Sequence, residues 1–142
     1  MVFKVDERIE SSCIWLAEGA LSSLHFKKDA SFPWIILLPK VEKVTEIYQL
    51  SKADRQLLIE EIALLSKVMM DYFKPDKLNV GALGNLVSQL HIHIVARFKA
   101  DKAWPHSIWQ PDLAAEAYEK AVLDAHVSSL RELVQRYSGK VC

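Results

Sequence analysis

Cysteine is scarce in this chain. Cys13 and Cys142 are the only two, too few for a disulfide scaffold and too far apart in sequence for a zinc-knuckle spacing, so a reducing compartment is expected. Net charge is also missing: 18 basic residues balance 18 acidic ones along the chain. No basic stripe of the kind that neutralises a phosphate backbone stands out, which argues against a long nucleic acid as partner but leaves a small nucleotide open. No apolar run approaches the ~20 residues of a membrane span. The opening "MVFKVDERIE" carries charges from Lys4 onward in place of a signal peptide's apolar stretch. No membrane association is expected, and the location reads as cytoplasmic. Glycine is rare and neither repeats nor low-complexity runs occur, so disorder is not expected beyond the termini.

What is present suits one domain, 1–142, long enough to hide roughly two thirds of its unfolded surface. Residues 21–40, "LSSLHFKKDASFPWIILLPK", hold two extended runs, Leu21 to Phe26 and Trp34 to Leu38, split by polar "KKDAS" and bracketed by Pro33 and Pro39. They predict a hairpin whose second strand, apolar at consecutive positions, is covered on both faces. Ser51, with Asp54 three residues on, opens a helix through a variant of the capping box, and Pro75 ends it. Leu57, Leu58, Ile62, Leu65, Val68, Met69 and Tyr72 recur at helical steps and form its expected buried face, with Met69 and Met70 as core filler. "KLNVGAL" and "LVSQLHIHIVARF" flank Gly84-Asn85, a pair suited to a tight turn, and predict a second hairpin.

From about residue 99 a loop carries Trp104, His106 and Trp109. These can close over a base or phosphate by stacking, or cover the core or a dimer contact. Asp112 to Tyr137 reads as a second main helix, with Leu113, Ala117, Ala121, Ala125, Leu130, Leu133 and Val134 buried, His126 half-exposed and Gly139 as terminator. Strand-strand, helix, strand-strand, helix is the order of an α+β domain with an antiparallel sheet and two main helices.

The chemistry concentrates in "QLHIHIV", residues 89–95. On a strand, Gln89, His91, His93, Val95 and Arg97 share one face while Leu90, Ile92, Ile94 and Ala96 share the other. The apolar set is expected under a helix and the polar set outward, where two imidazoles, an amide and a guanidinium can hold an anion. Three readings compete. The first is a plain solvated strand face. The second is a metal site, for which His25 or His106 would be distant helpers with nothing to fix the geometry. The third is nucleophilic catalysis at phosphorus, one imidazole attacking and the other supporting the phosphoryl oxygens.

The segment resembles the signature of the histidine triad (HIT) family, in which three histidines alternate with apolar residues. Here it is Gln89-Leu90-His91-Ile92-His93-Ile94-Val95, with glutamine in the first histidine position and every apolar position kept. Gly84-Asn85 resembles the Gly-Gln preceding the triad in many members, and "FPWIILLPK" resembles the family's Pro-x-His-apolar strand. The tail "ARFKADKAWPHSIW" is similar to that of a bacterial branch of small HIT proteins. The similarity covers most of residues 13–98.

The resemblance implies a HIT-like fold and a nucleotide hydrolase or transferase acting on a phosphoanhydride or phosphoramidate. His91 would be the nucleophile and form a nucleotidyl-histidine at the α-phosphorus. His93 would bind the phosphate and stabilise developing charge, and Gln89 would hydrogen-bond near the leaving group without being able to protonate it. Asn85 and Asn79 become candidates for phosphate contact, Asp29 for the ribose hydroxyls, and Lys27 and Lys28 for a place beside phosphates; turn chemistry and a solvated charge pair account for the same residues without function. A purine nucleotide or dinucleotide substrate, a homodimer, and no metal or other cofactor are implied. The alternative is a purine-nucleotide-binding module with little or no catalysis.

Overall fold

The structure, a computed structural model, describes residues 3–139. Asp6 caps a short helix, α1 (Glu7–Ser12), by accepting the Arg8 N–H, and the chain passes directly into strand β1 (Cys13–Glu18). Neither element was expected from the sequence. The reason lies in β1's register: the pairing shifts between Trp15 and Ala17, so inward and outward positions do not alternate cleanly and Trp15 stands 48% exposed. β2 (Ser22–Lys27) and β3 (Trp34–Pro39) form the expected hairpin, with Phe26 opposite Ile35 and Ser23 opposite Leu38.

A 3-10 turn at Ile47–Gln49 leads to α2 (Lys52–Phe73). Ser51 Oγ accepts the Asp54 N–H at 3.1 Å, as the sequence predicts. The helix stops at Lys74, whose left-handed φ of 53° sits immediately before Pro75. Leu58, Leu65, Val68 and Met69 are buried, but Leu57 and Met70 are each 40% exposed, at the edge of the apolar stripe.

β4 (Lys77–Gly81) and β5 (Ile92–Arg97) pair antiparallel as expected. They are not joined by a tight turn at Gly84-Asn85. Residues 82–91 intervene, with Gly84 at φ 71°, because this connection is held to other elements: Leu86 C=O accepts from Arg8, and Leu90 N–H donates to Val44 C=O. α3 (Lys120–Ser138) starts eight residues later than the apolar spacing suggests. Ala30 N–H donates to Glu116 C=O, and Asp29 Oδ1 accepts the Glu116 N–H. Backbone groups committed to the β2–β3 loop are unavailable to a helix, and the favourable propensity of "LAAEA" yields to them. The phase changes too: Val127, Leu130 and Val134 are buried, whereas Ala117, Ala121 and Ala125 are exposed. Gly139 does end α3, though in right-handed conformation.

The sheet runs β1-β2-β3-β5-β4 with every neighbouring pair antiparallel, and the fold is α+β. One face, bearing Leu24, Phe26, Ile35, Leu37, Ile92 and Ile94, packs beneath α2 and α3. The other face carries Ile36, Leu38 and Val95. It is covered from one side by Phe3, Val5 and Ile9 of the N-terminal segment, and from the other by Ala103, Ile108 and Trp109. The second face holds the histidines.

Candidate active site

Of the expected strand 89–97, only Ile92 onward is in β5. The apolar residues Leu90, Ile92, Ile94 and Ala96 do face the helices. The polar set is not presented to solvent, because the two coverings bury it: His91 is 8% exposed, His93 7% and Arg97 2%.

His91 sits one residue before β5, beside a peptide unit fixed at both ends. Leu90 N–H donates to Val44 C=O at 3.0 Å. A trans peptide holds its N–H and C=O in one plane pointing opposite ways, so this bond aims the Gln89 carbonyl at His91. His91 Nδ1 lies 2.6 Å from that oxygen. A carbonyl can only accept, so Nδ1 carries a proton, and in the neutral ring the lone pair is on Nε2.

His93 has the reverse arrangement. Trp34 Nε1–H donates to His93 Nδ1 at 2.9 Å, which puts the proton of the neutral ring on Nε2. Burial, then the neighbouring His91 and Lys27, push the His93 pKa down to about 3, so the ring is a neutral N–H donor across the physiological range. The two imidazoles meet edge to face with centroids 4.8 Å apart. Trp34 and Trp109 flank His93, each at 5.4 Å, and Lys27 Nζ lies 5.2 Å over the Trp34 ring. Trp34 was expected only as a strand residue and not as part of the site; its signal was an N–H-bearing aromatic at the place where "FPWIILLPK" resembles Pro-x-His.

The other expected site residues divide. Asn79, on β4 opposite Val95, accepts from Arg97 Nη1 at 2.8 Å. Arg97 also binds Asp101 through Nε and Nη2 and the His106 carbonyl through Nη2, and it lies against the Trp104 ring. Gln89 points away along the N-terminal segment: Oε1 accepts Asp6 N–H at 2.9 Å and Nε2 donates to Lys4 C=O at 2.8 Å. Asp29 is buried, its Oδ1 accepting from Ser31 N–H and Glu116 N–H. Asn85 is exposed in the 82–91 connection. Among the other histidines, His25 Nε2 lies 2.9 Å from Ser23 Oγ and His126 Nδ1 2.8 Å from Tyr72 Oη. His106 is exposed.

A five-stranded antiparallel sheet with two adjoining imidazoles at the head of β5, their Nδ1 atoms engaged by the Gln89 carbonyl and the Trp34 N–H, defines a class of small α+β protein. The HIT domain family model matches residues 8–100, and the chain belongs to this family. It is similar to a histidine triad protein of Bradyrhizobium japonicum, with TM-score 0.91, 34% identity, and 94% of this chain and 99% of that one covered. Similar again is a histidine triad protein of Marinobacter aquaeolei, at 0.90 and 34%, covering 96% and 99%. At the level of fold alone it is like the diadenosine triphosphate hydrolase of Plasmodium falciparum, at 0.61 and 14%, covering 93% and 80%. Among curated proteins no match was found.

Proposed function

We propose that the protein is a nucleotidyl-transferring hydrolase or transferase, acting on a purine nucleotide or dinucleotide through a covalent His91 intermediate. The observation that carries this reading is the 2.6 Å bond from His91 Nδ1–H to the Gln89 carbonyl. It places the lone pair of the neutral ring on Nε2 and supports the positive charge the ring acquires when Nε2 bonds to phosphorus. In the first step the Nε2 lone pair forms an N–P bond at the α-phosphorus. The P–O or P–N bond to the leaving group breaks, and its electron pair departs with that group, which takes a proton from solvent. Neutral His93 donates Nε2–H to a non-bridging oxygen as charge builds there. Water or another acceptor then bonds to phosphorus and loses its proton to solvent, the N–P electron pair returns to His91 Nε2, and the nucleoside monophosphate or the nucleotidylated acceptor leaves. Asn79, held by Arg97, and Asn85 supply phosphate contacts, and Asp29 the ribose contact. The diadenosine triphosphate hydrolase of like fold supports phosphoanhydrides as one substrate type.

A second reading, a purine-nucleotide-binding module with little turnover, is favoured by one feature: the Gln89 amide is engaged by Lys4 and Asp6, which leaves the departing group without a side-chain proton donor there. One experiment separates the two. Protein is mixed with radiolabelled diadenosine triphosphate or adenosine 5′-phosphoramidate and quenched under alkaline denaturing conditions, which an imidazole N–P bond survives. A labelled adduct, absent in His91→Ala, is expected; reversible binding with no adduct and no product in the wild type would instead establish the module. Because Nε2 is the attacking atom, His91→Ala is expected to lower kcat at least about a thousandfold.

A further inference from the structure

The clamp on Gln89 joins two parts of the chain that the chemistry alone would not connect. The Lys4 carbonyl and the Asp6 N–H flank Val5 and are both met by one amide, in the way a neighbouring strand would meet them. Asp6 carries the link onward. Its carboxylate caps α1 and is gripped by Arg8 Nε and Nη2, while Arg8 Nη1 donates to the Leu86 carbonyl. Ile9, one turn into α1, is buried against Ile36 and Leu38 on the histidine face. Residue 89 is therefore held through its side chain by the N-terminal segment and through the following N–H, that of Leu90, by Val44, and its carbonyl fixes the His91 ring.

We infer that Gln89 is a positioning residue: it ties the N-terminal segment 4–8 to the nucleophile's carbonyl acceptor and keeps His91 in the Nδ1–H form, and it takes no part in proton delivery to the leaving group. The inference rests on the proposed role of His91. Glutamine suits this position because its donor and acceptor branch from one carbon at equal reach. In imidazole one nitrogen lies a bond nearer the backbone, so a histidine at 89 does not meet both segment groups in the same pose.

The test compares wild type with Gln89→Ala, Gln89→Glu, Gln89→His and Arg8→Ala, each checked for cooperative unfolding. Nitrogen NMR of ring-labelled histidine reads the His91 tautomer, hydrogen exchange reads the Asp6 amide, and steady-state assays with adenosine 5′-phosphoramidate read kcat and KM. In Gln89→Ala the His91 ring is expected to populate both tautomers, the Asp6 amide to lose protection, and kcat to fall about tenfold with KM changed less than about twofold. Gln89→Glu keeps the acceptor for Asp6 but loses the donor to Lys4, and lies between wild type and alanine. Arg8→Ala, which loosens the segment and releases the Leu86 carbonyl without removing any contact to Gln89 or His91, moves the tautomer in the same direction by less. Gln89→His falls with the alanine variant. A Gln89→His enzyme faster than wild type, or a Gln89→Ala enzyme with unchanged His91 tautomer, would overturn the inference. If wild type cleaves no nucleotide, the proposed function fails, and the tautomer and exchange measurements still decide whether Gln89 positions the ring.

Discussion

His93 shows how burial sets what a side chain can do. Its imidazole lies between Trp34 and Trp109, and loss of hydration opposes protonation more than any nearby charge does. The folded pKa of about 3 lies below the ordinary 6.5, so between these values the unfolded chain binds a proton the folded one refuses. Stability is therefore complete above pH 6.5 and is lost as pH falls toward 3. Each pH step of one in this window removes about 1.4 kcal/mol, so the loss at pH 5 is of order 2 kcal/mol. Urea unfolding across this range is expected to show the slope, and His93→Gln, whose amide oxygen can still accept from Trp34, is expected to flatten it. An unchanged slope in that variant would assign the acid sensitivity to other groups. At this scale the sequence was legible for identity and not for environment. The pairing of His91 with His93 could be read from spacing, but their opposite proton positions depend on Gln89 C=O and Trp34 N–H, one a backbone group and the other 59 residues away.

At the scale of elements, local signals held wherever the element's own residues supply its ends. Ser51 is the clearest instance: its hydroxyl satisfies the Asp54 N–H, one of the donors a helix start leaves unpaired. Ser51→Ala is expected to cost about 1 kcal/mol and to lower the melting temperature by about 3 °C, while Ser51→Asp retains the wild-type value; thermal denaturation measures both. The α3 start failed the same reading because its fate is decided elsewhere, by Asp29 and Ala30 pairing with the backbone of Glu116. The 82–91 connection likewise could not be read as long, since what holds it out of a tight turn is Arg8 on one side and Val44 on the other. β1 was hidden by its own register shift.

For the whole molecule, the histidine face is closed by two segments distant in sequence, and each has its own anchor. Gln89 anchors the N-terminal one. The C-terminal one is anchored by Arg97 and Asp101, whose side chains are 2% and 5% exposed. Burial opposes the charge on Asp101, but Arg97 and the N–H groups of Phe98, Ala103 and Trp104 outweigh it and hold the carboxyl at about 2. Such a pair adds little net stability relative to apolar packing, yet breaking it is expensive because one charge is left buried alone. Asp101→Asn keeps the shape and removes the charge. It is expected to destabilise the fold by about 3–5 kcal/mol and, through the 98–109 segment, to loosen Trp109 from His93. Denaturant unfolding reads the first effect. Tryptophan fluorescence, with Trp109→Phe as the reference that assigns the signal, reads the second. Because Arg97 also holds Asn79, the variant is further expected to raise KM for a nucleotide, whereas Gln89 variants act on kcat. If Asp101→Asn lowers stability but leaves KM unchanged, Asn79 has no part in holding phosphate and the C-terminal anchor serves the fold alone.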